Sequence, residues 1–184
     1  MFQNTLLTQA KRTMSTTSKG KTIKTKILIV SDTHAVNFAG YPSNPEKVIF
    51  KPPFPKADVA LHCGDLTNSG RLREFSRTID TLAEIDAELK LIIAGNHDLC
   101  LDDDYMRHHG HRWLSGLSGS RRKEKEKEKN EETKFCKAIL SAEETKRKGI
   151  RFLDEGLHRF SLRNGSELKV RWLYRRRHRR VSQV

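Results

Sequence analysis

Three short apolar runs, each followed by polar residues, constrain the fold of this chain most. They cover residues 27–30, 58–63 and 89–94 and are predicted to be buried strands. Between the second and third runs, apolar side chains recur at helical spacing, and Asn68 and Ser69 are good N-caps, so a helix is predicted from about residue 69 to residue 87. Strand, helix and strand in this order predict a right-handed βαβ unit with parallel strands. The sequence therefore indicates an α/β fold.

The residues that follow these strands share one chemistry. Asp32 and His34 follow the first strand, Asp65 follows the second, and Asn96 and His97 follow the third. In an open α/β sheet, ligands bind outside the carboxyl ends of the strands, so the five side chains are expected to point into one crevice. Carboxylate, imidazole and amide donors in combination suit divalent metal ions.

A site for two divalent ions is the arrangement that these donors predict. A carboxylate that bridges two ions lets both of them act on one phosphate, as in two-metal ester hydrolysis. Asp65 is the candidate bridge, Asp32 and His34 are the candidate ligands of the first ion, and Asn96 is expected to offer its carbonyl oxygen to the second. The donor set suits Mn, Fe, Zn or Mg, and the sequence does not choose among them.

His97 is not needed as a ligand in this scheme. Its position beside the second ion suits a general acid that protonates the departing alkoxide, and Asp98 is a candidate orienting partner for its ring. The phosphoester substrate that needs this proton most is a diester with a poor leaving group.

The three motifs differ in specificity when each is taken singly. Asp-x-His at 32–34 and Gly-Asp at 64–65 are common by chance, as turn residues at strand ends. Gly-Asn-His-Asp directly after an apolar strand is much rarer. No single motif is sufficient evidence for a site. Three such strand ends in order, at the spacing of a βαβ unit, together indicate a shared site.

The remainder of the predicted domain, residues 26–170, has weaker signals. Lys and Glu alternate from 123 to 129, and we interpret about 110–131 as a charged insertion that loops away from the domain. A helix is predicted from about residue 135 to residue 148, and 102–109 is a further candidate helix. Residues 150–153 and 157–162 are candidate strands, and Asn164-Gly165 predicts a hairpin turn that leads to Leu168 and Val170.

The formal net charge of +13 is concentrated at the two ends of the chain. Residues 1–26 contain six Lys or Arg and no acid, residues 169–184 contain seven and no acid, and the segment between them is formally neutral. We predict a disordered basic leader at 1–25 and a disordered Arg-rich tail at 171–184. A mitochondrial transit peptide shares the leader's composition, and the tail resembles a nuclear-import or nucleic-acid contact, although an ordinary leader and a tail that replaces an authentic continuation are the favoured interpretations.

The cysteines and the hydropathy indicate the compartment. Cys63, Cys100 and Cys136 are widely spaced and odd in number, which argues against a disulfide framework and favours a reducing environment. No apolar stretch reaches the roughly 18 residues of a membrane span, so no membrane partner is predicted. We therefore expect a cytoplasmic protein, with the mitochondrion and the nucleus as alternatives, and the oligomeric state stays open.

The strand-end motifs resemble the signature of the calcineurin-like metallophosphoesterase superfamily, which is Asp-x-His, Gly-Asp and Gly-Asn-His-Asp/Glu. Residues 62–67 and 152–156 also resemble the small metallophosphoesterase-domain proteins, which act as phosphodiesterases. The resemblance implies a β-sandwich of two facing sheets flanked by helices, with a dinuclear metal site at one sheet edge. It also implies Asp32 and His34 on one metal, Asp65 as the bridge, Asn96 on the other metal and His97 in catalysis.

The resemblance stops near Val170. The family continues with a Gly-Ser-Pro segment and three further metal-ligand histidines, and this sequence has neither, so the domain is expected to be incomplete on its C-terminal side. His109 and His111 are a conceivable substitute pair, but surface histidines are the commoner explanation. Two functions follow: a metal-dependent phosphoester hydrolase, or a catalytically inactive truncated fragment that binds nucleic acid or a protein through its basic ends.

Overall fold

The main sheet of the molecule is parallel. The computed structural model describes residues 22–36, 54–110 and 118–173, and in these residues four strands lie in the order β1-β2-β3-β4. The strands are β1 (Ile27–Val30), β2 (Val59–His62), β3 (Leu89–Ile92) and β4 (Ile150–Phe152). All three neighbouring pairs are parallel, so the four carboxyl ends lie at the same edge. The predicted α/β class and the parallel βαβ unit are confirmed.

Helix α1 (Leu72–Ala83) connects β2 to β3 and begins later than the sequence predicted. Its N-cap is Arg71, not Asn68 or Ser69, because the Glu74 carboxylate accepts the backbone N–H of Arg71 at 2.9 Å. The same carboxylate accepts the N–H of Ser69 at 3.1 Å, which folds the preceding turn back over the start of the helix. Residues 68–70 are thereby kept in the loop after β2.

The charged run is helical from Gly119 onward, where the sequence predicted that it loops away from the domain. Helix α3 (Gly119–Ser141) includes the alternating Lys and Glu residues in its exposed first half, and its second half buries Cys136 and Leu140. Lys and Glu are good helix formers, and pairs such as Lys125–Glu128 lie on neighbouring turns. The Glu132 carboxylate accepts the backbone N–H of Leu72 at 3.1 Å, so α3 packs against the start of α1.

Two short helices complete the helical part. A 3-10 turn (Leu99–Leu101) leads into α2 (Asp103–His109), which confirms the candidate helix at 102–109. Helix α4 (Glu143–Arg147) is separate from α3, because Ala142 is extended where the sequence predicted one continuous helix. Across 22–36, 54–110 and 118–173, no helix has both the length and the apolar character that a membrane crossing requires.

The second sheet is a hairpin. Strands β5 (Gly156–Ser161) and β6 (Glu167–Trp172) pair antiparallel around the predicted Asn164-Gly165 turn. Gly156 pairs with Trp172, so β6 continues two residues beyond Val170, into the stretch predicted to be a disordered tail. Backbone pairing needs no apolar pattern, which is why the Arg-rich sequence gave no sign of it. The leader before residue 22 and the tail after residue 173 lie outside the described residues.

Two apolar cores separate the layers. One core lies between the main sheet and the helices and includes Phe75, Ile79, Leu82, Cys136 and Leu140 from the helices. The other lies between the two sheets, where Val59, Leu89 and Leu91 pack with Leu162 and Leu168 from the hairpin. The predicted arrangement of facing sheets with flanking helices is therefore confirmed.

Candidate metal centre

The predicted site residues lie at the carboxyl edge of the main sheet. Asp32 and His34 follow β1, Asp65 follows β2, and Asn96 and His97 follow β3. Ligand atoms of Asp32, His34 and Asp65 all lie within 4.8 Å of one another, and these three residues form a His/Asp cluster that could hold a metal ion. Three of the four residues predicted as ligands therefore lie close together, and their ligand atoms are of the kinds that a single divalent cation binds.

The cluster is built on left-handed backbone. Asp32, His34, Ala35 and Asp65 have φ angles of 57°, 48°, 58° and 54°, although none of them is glycine. Each such residue costs about 1–3 kcal/mol and persists only where the surroundings enforce it. Left-handed backbone turns the chain sharply after a strand, so that nearby side chains such as Asp32 and His34 can converge on one point.

Main-chain hydrogen bonds hold the first two loops together beyond the ends of their strands. Asp32 N–H donates to Gly64 O at 3.1 Å, His34 N–H donates to Asp65 O at 3.1 Å, and Ala35 N–H donates to Leu66 O at 2.8 Å. These bonds extend the pairing of β1 with β2 and supply the enforcement that the left-handed residues require.

The loop after β3 is joined to Asp65 by contact with a glycine. A Cβ on Gly95 would lie 2.1 Å from Asp65 N and 2.2 Å from Asp65 Oδ1, so no side chain fits there. The backbone N–H of His97 donates to Asp65 Oδ1 at 2.9 Å. Asp65, the predicted bridge, is therefore fixed from the loop that carries Asn96, whose own side chain is exposed.

The two imidazoles of the site are held in matching ways. His34 Nδ1 donates to Thr67 O at 3.0 Å, and His97 Nδ1 donates to Asn68 O at 2.8 Å. Since a carbonyl only accepts, each Nδ1 carries a proton, and Nε2 of the neutral ring keeps a lone pair for a metal or a proton. The rings meet edge to face with centroids 4.7 Å apart.

Asp98 has different hydrogen-bond partners from the one that the sequence suggested. Its carboxylate accepts the N–H groups of Leu66, Thr67 and Gly95 and the hydroxyl of Thr67, at 2.7–3.1 Å. The His97 ring is oriented by Asn68 O, so the expected pairing of Asp98 with that ring is corrected. Burial raises the pKa of Asp98 above its usual range, and its four hydrogen bonds oppose that rise.

Sequence reasoning missed His62 as part of the site. This histidine, at the end of β2, is only 2% exposed, and its Nε2 lies 2.8 Å from the hydroxyl oxygen of Thr33. Burial lowers the pKa of His62 to about 4, a shift that Asp32 opposes and His34 reinforces. A histidine within an otherwise apolar strand, adjacent to a ligand motif, was the signal available in the sequence.

Among the described residues, His109 and His158 are not part of the Asp32, His34 and Asp65 cluster. His109 is on α2, and His111 falls outside the described residues. His158 is on β5, where Nε2 donates to Asp154 O at 2.8 Å and the ring stacks on Phe160. A substitute His109–His111 pair therefore has no support from the described part of the chain.

The comparisons with known proteins agree with the site. The family model for calcineurin-like phosphoesterases matches residues 25–176, which is most of the chain. Metallophosphoesterase domain-containing protein 1 of Homo sapiens is 33% identical over 82 residues, 45% of this chain and 22% of that protein. UPF0046 protein K07C11.7 of Caenorhabditis elegans is 30% identical over 79 residues, 43% of this chain and 23% of that protein.

A third relative is named as a lyase and not as a phosphoesterase. Probable rhamnogalacturonate lyase C of Emericella nidulans is 36% identical over 85 residues, which cover 46% of this chain and 7% of that protein. The matched region is therefore less than a quarter of the length of each of these three relatives.

Proposed function

Because the chain belongs to the calcineurin-like phosphoesterase family, we propose that it is a metal-dependent phosphoester hydrolase that acts on phosphodiesters. The observation that carries the proposal is the Asp32, His34 and Asp65 cluster, with its ligand atoms within 4.8 Å of one another. Two carboxylates and an imidazole with a free Nε2 are donors that Mn, Fe, Zn and Mg accept.

The proposed roles follow from the anchoring of each side chain. Asp32, His34 and Asp65 would hold a first divalent ion, and Asp65 would be shared with a second ion that takes the Asn96 carbonyl oxygen. Bound ions of this kind act as Lewis acids toward a phosphate. His34 is suited to its role because the bond to Thr67 O fixes the tautomer that leaves Nε2 available.

His97 is the proposed general acid. Its Nδ1 is committed to Asn68 O, so only Nε2 can give a proton to a departing alkoxide when the ring is doubly protonated. The edge contact with His34 supports this role, because His34 is a proposed ligand of the first ion. A general acid matters most for an alkoxide leaving group, so the proposed substrate is a phosphodiester whose departing group is an alkoxide.

Metal binding tests the proposal without any substrate. Titration calorimetry with Mn²⁺ should show binding to the wild-type chain and to Asp80→Asn, a control in which an exposed carboxylate on α1 is changed. Asp65→Asn should weaken binding at least about 100-fold, because a ligand loss exceeds the 10–100-fold effect of losing a residue that only supports a ligand. Equal Mn²⁺ affinity in Asp65→Asn and the wild type would exclude the proposed site.

Hydrolysis of a dinucleotide, a phosphodiester whose leaving group is an alkoxide, with added Mn²⁺ tests the reaction. The wild-type rate should exceed that of His97→Ala by about 100-fold, within the usual contribution of a general acid. A wild-type rate no higher than the His97→Ala rate would overturn the proposed activity.

A further inference from the structure

We propose that His62 is a positioning residue that holds the Asp32-Thr33-His34 turn in its ligand-presenting form through a hydrogen bond to the Thr33 hydroxyl. The proposal rests on the proposed metal site and adds a residue that lies outside its ligand set. The Thr33 hydroxyl oxygen and His62 Nε2 are 2.8 Å apart, and both residues are buried, at 3% and 2% exposure.

The need for such an anchor comes from the backbone of the turn. Asp32, His34 and Ala35 are left-handed, and within residues 32–35 Thr33 does not share that conformation. Thr33 lies between two residues whose side chains are proposed as ligands, so the bond to its hydroxyl adds a second side-chain anchor to the bond that His34 Nδ1 makes with Thr67 O. The backbone N–H groups of Asp32, His34 and Ala35 donate to residues 64–66, and these bonds do not involve the Thr33 side chain.

The position of His62 makes it a rigid support. It is the last residue of β2, the strand that lies between β1 and β3, and its carbonyl accepts the backbone N–H of Ile93 at 3.2 Å. The Thr33 hydroxyl is thus connected to the middle of the sheet.

Burial of the His62 ring is unfavourable for the stability of the fold, which indicates that the ring makes an interaction of its own. Within the described residues, its Nδ1 is buried without a hydrogen-bond partner. Either tautomer leaves that atom unpaired, so a leucine of similar volume would be the cheaper residue for stability alone. The bond to Thr33 is the interaction that a leucine could not replace.

Isosteric variants separate positioning from packing. Thr33→Val removes the hydroxyl and keeps the shape, whereas Thr33→Ser keeps the hydroxyl. His62→Gln places an amide near the Nε2 position, whereas His62→Leu removes the bond. The Mn²⁺ dissociation constant should rise about 10- to 100-fold in Thr33→Val and His62→Leu and stay within about threefold of wild type in Thr33→Ser and His62→Gln.

The Thr33→Val/His62→Leu double variant should be no weaker than the worse single variant, because both remove the same bond. Circular dichroism at the titration temperature selects the variants that are folded, and Thr33→Val carries the test if His62→Leu does not fold. Unchanged Mn²⁺ affinity in folded Thr33→Val would overturn the proposal, since a role in packing alone predicts that result.

Hydrogen exchange in the metal-free protein keeps this test independent of the proposed function. The amides of Asp32, His34 and Ala35 should exchange at least about tenfold faster in Thr33→Val than in Thr33→Ser, with amides of the β5–β6 hairpin unchanged. If the wild type binds no Mn²⁺ but these amides respond, the metal site fails and the anchoring role stands. Identical exchange in the two variants would remove the anchoring role.

Discussion

His34 and His97 meet edge to face, with ring centroids 4.7 Å apart, although they follow different strands of the sheet. The residues that orient them are adjacent in sequence: His34 Nδ1 donates to Thr67 O, and His97 Nδ1 donates to Asn68 O. A single loop after β2 therefore sets the direction of both imidazoles. Asp65 lies in this same loop, so the three strand ends form one structural unit.

Gly95→Ala should unfold this unit locally. The new Cβ would lie 2.1 Å from Asp65 N, and backbone cannot yield to that contact, so we expect a loss of about 3 kcal/mol or more in the free energy of unfolding. Gly119→Ala is the matched control, because none of the described residues lies within 4 Å of its Cβ and a φ of 60° opposes the change, at a cost of about 1 kcal/mol. Urea denaturation of both variants measures the difference, and equal losses would contradict the close approach of the loops.

Asp98→Asn should destabilise the fold by about 3 kcal/mol. One carboxylate oxygen would become an NH₂ group that faces two donors, which leaves buried donors unsatisfied. Asp102→Asn should cost no more than about 0.5 kcal/mol, because Asn caps a helix as well as Asp does and the Asp102 side chain accepts the N–H of Tyr105, a bond that the Asn oxygen can also accept. Thermal unfolding ranks the two variants, and a stable Asp98→Asn would show that the four hydrogen bonds are not needed.

Acid should destabilise the metal-free protein through His62. Its pKa is about 4 in the folded chain, below the ordinary histidine value of 6.5 that the unfolded chain is expected to have. Above 6.5 the ring is neutral in both states; between 6.5 and 4 only the unfolded chain takes up a proton, so stability is lost as the pH falls through this window. The expected loss in the free energy of unfolding over the whole window is about 3 kcal/mol.

The measurement is urea denaturation in EDTA at about pH 7 and about pH 4.5. His62→Gln, which does not titrate, should lose less stability than the wild type over this range. Equal pH dependence in the two proteins would show that His62 is not buried as a neutral ring.

Glu132 should stabilise the contact between α3 and α1. Its carboxylate accepts the backbone N–H of Leu72 and a guanidinium N–H of Arg71, so Glu132→Ala is expected to cost about 1–2 kcal/mol. Glu128→Ala removes only an exposed pair with Lys125 and should change stability by less than about 0.5 kcal/mol. Chemical denaturation compares them, and equal effects would mean that the charged helix does not stabilise α1.

The sequence predicted the strand ends well for a physical reason. Short apolar runs predict strands even where one face is partly exposed, as at Ile29 in the edge strand β1, and parallel strands bring their carboxyl ends to one edge, so the sequence alone places Asp32, His34 and Asp65 together. Their roles toward a metal and those of Asn96 and His97 remain predictions.

What the sequence did not predict depends on contacts between distant residues. The partners of Asp98 are backbone N–H groups at positions 66, 67 and 95, and backbone donors have no sequence signature. The link from His62 to Thr33 depends on the register of β1 with β2, which pairs Val30 with His62. The helical state of the Lys/Glu run was missed because the hydrophobic pattern, used as the criterion, is absent from an exposed helix.

The contact of Gly95 with Asp65, and the sharing of Asp98 by amides from two loops, have a consequence for how this edge of the molecule comes apart. If the loop after β2 separates from the loop after β3, the buried Asp98 carboxylate loses the donors of Leu66 and Thr67 and keeps only the N–H of Gly95, so the opening of one loop disfavours the closed form of the other. The ligand cluster should therefore be lost in a single cooperative event, as a block, and a partly assembled cluster should not accumulate.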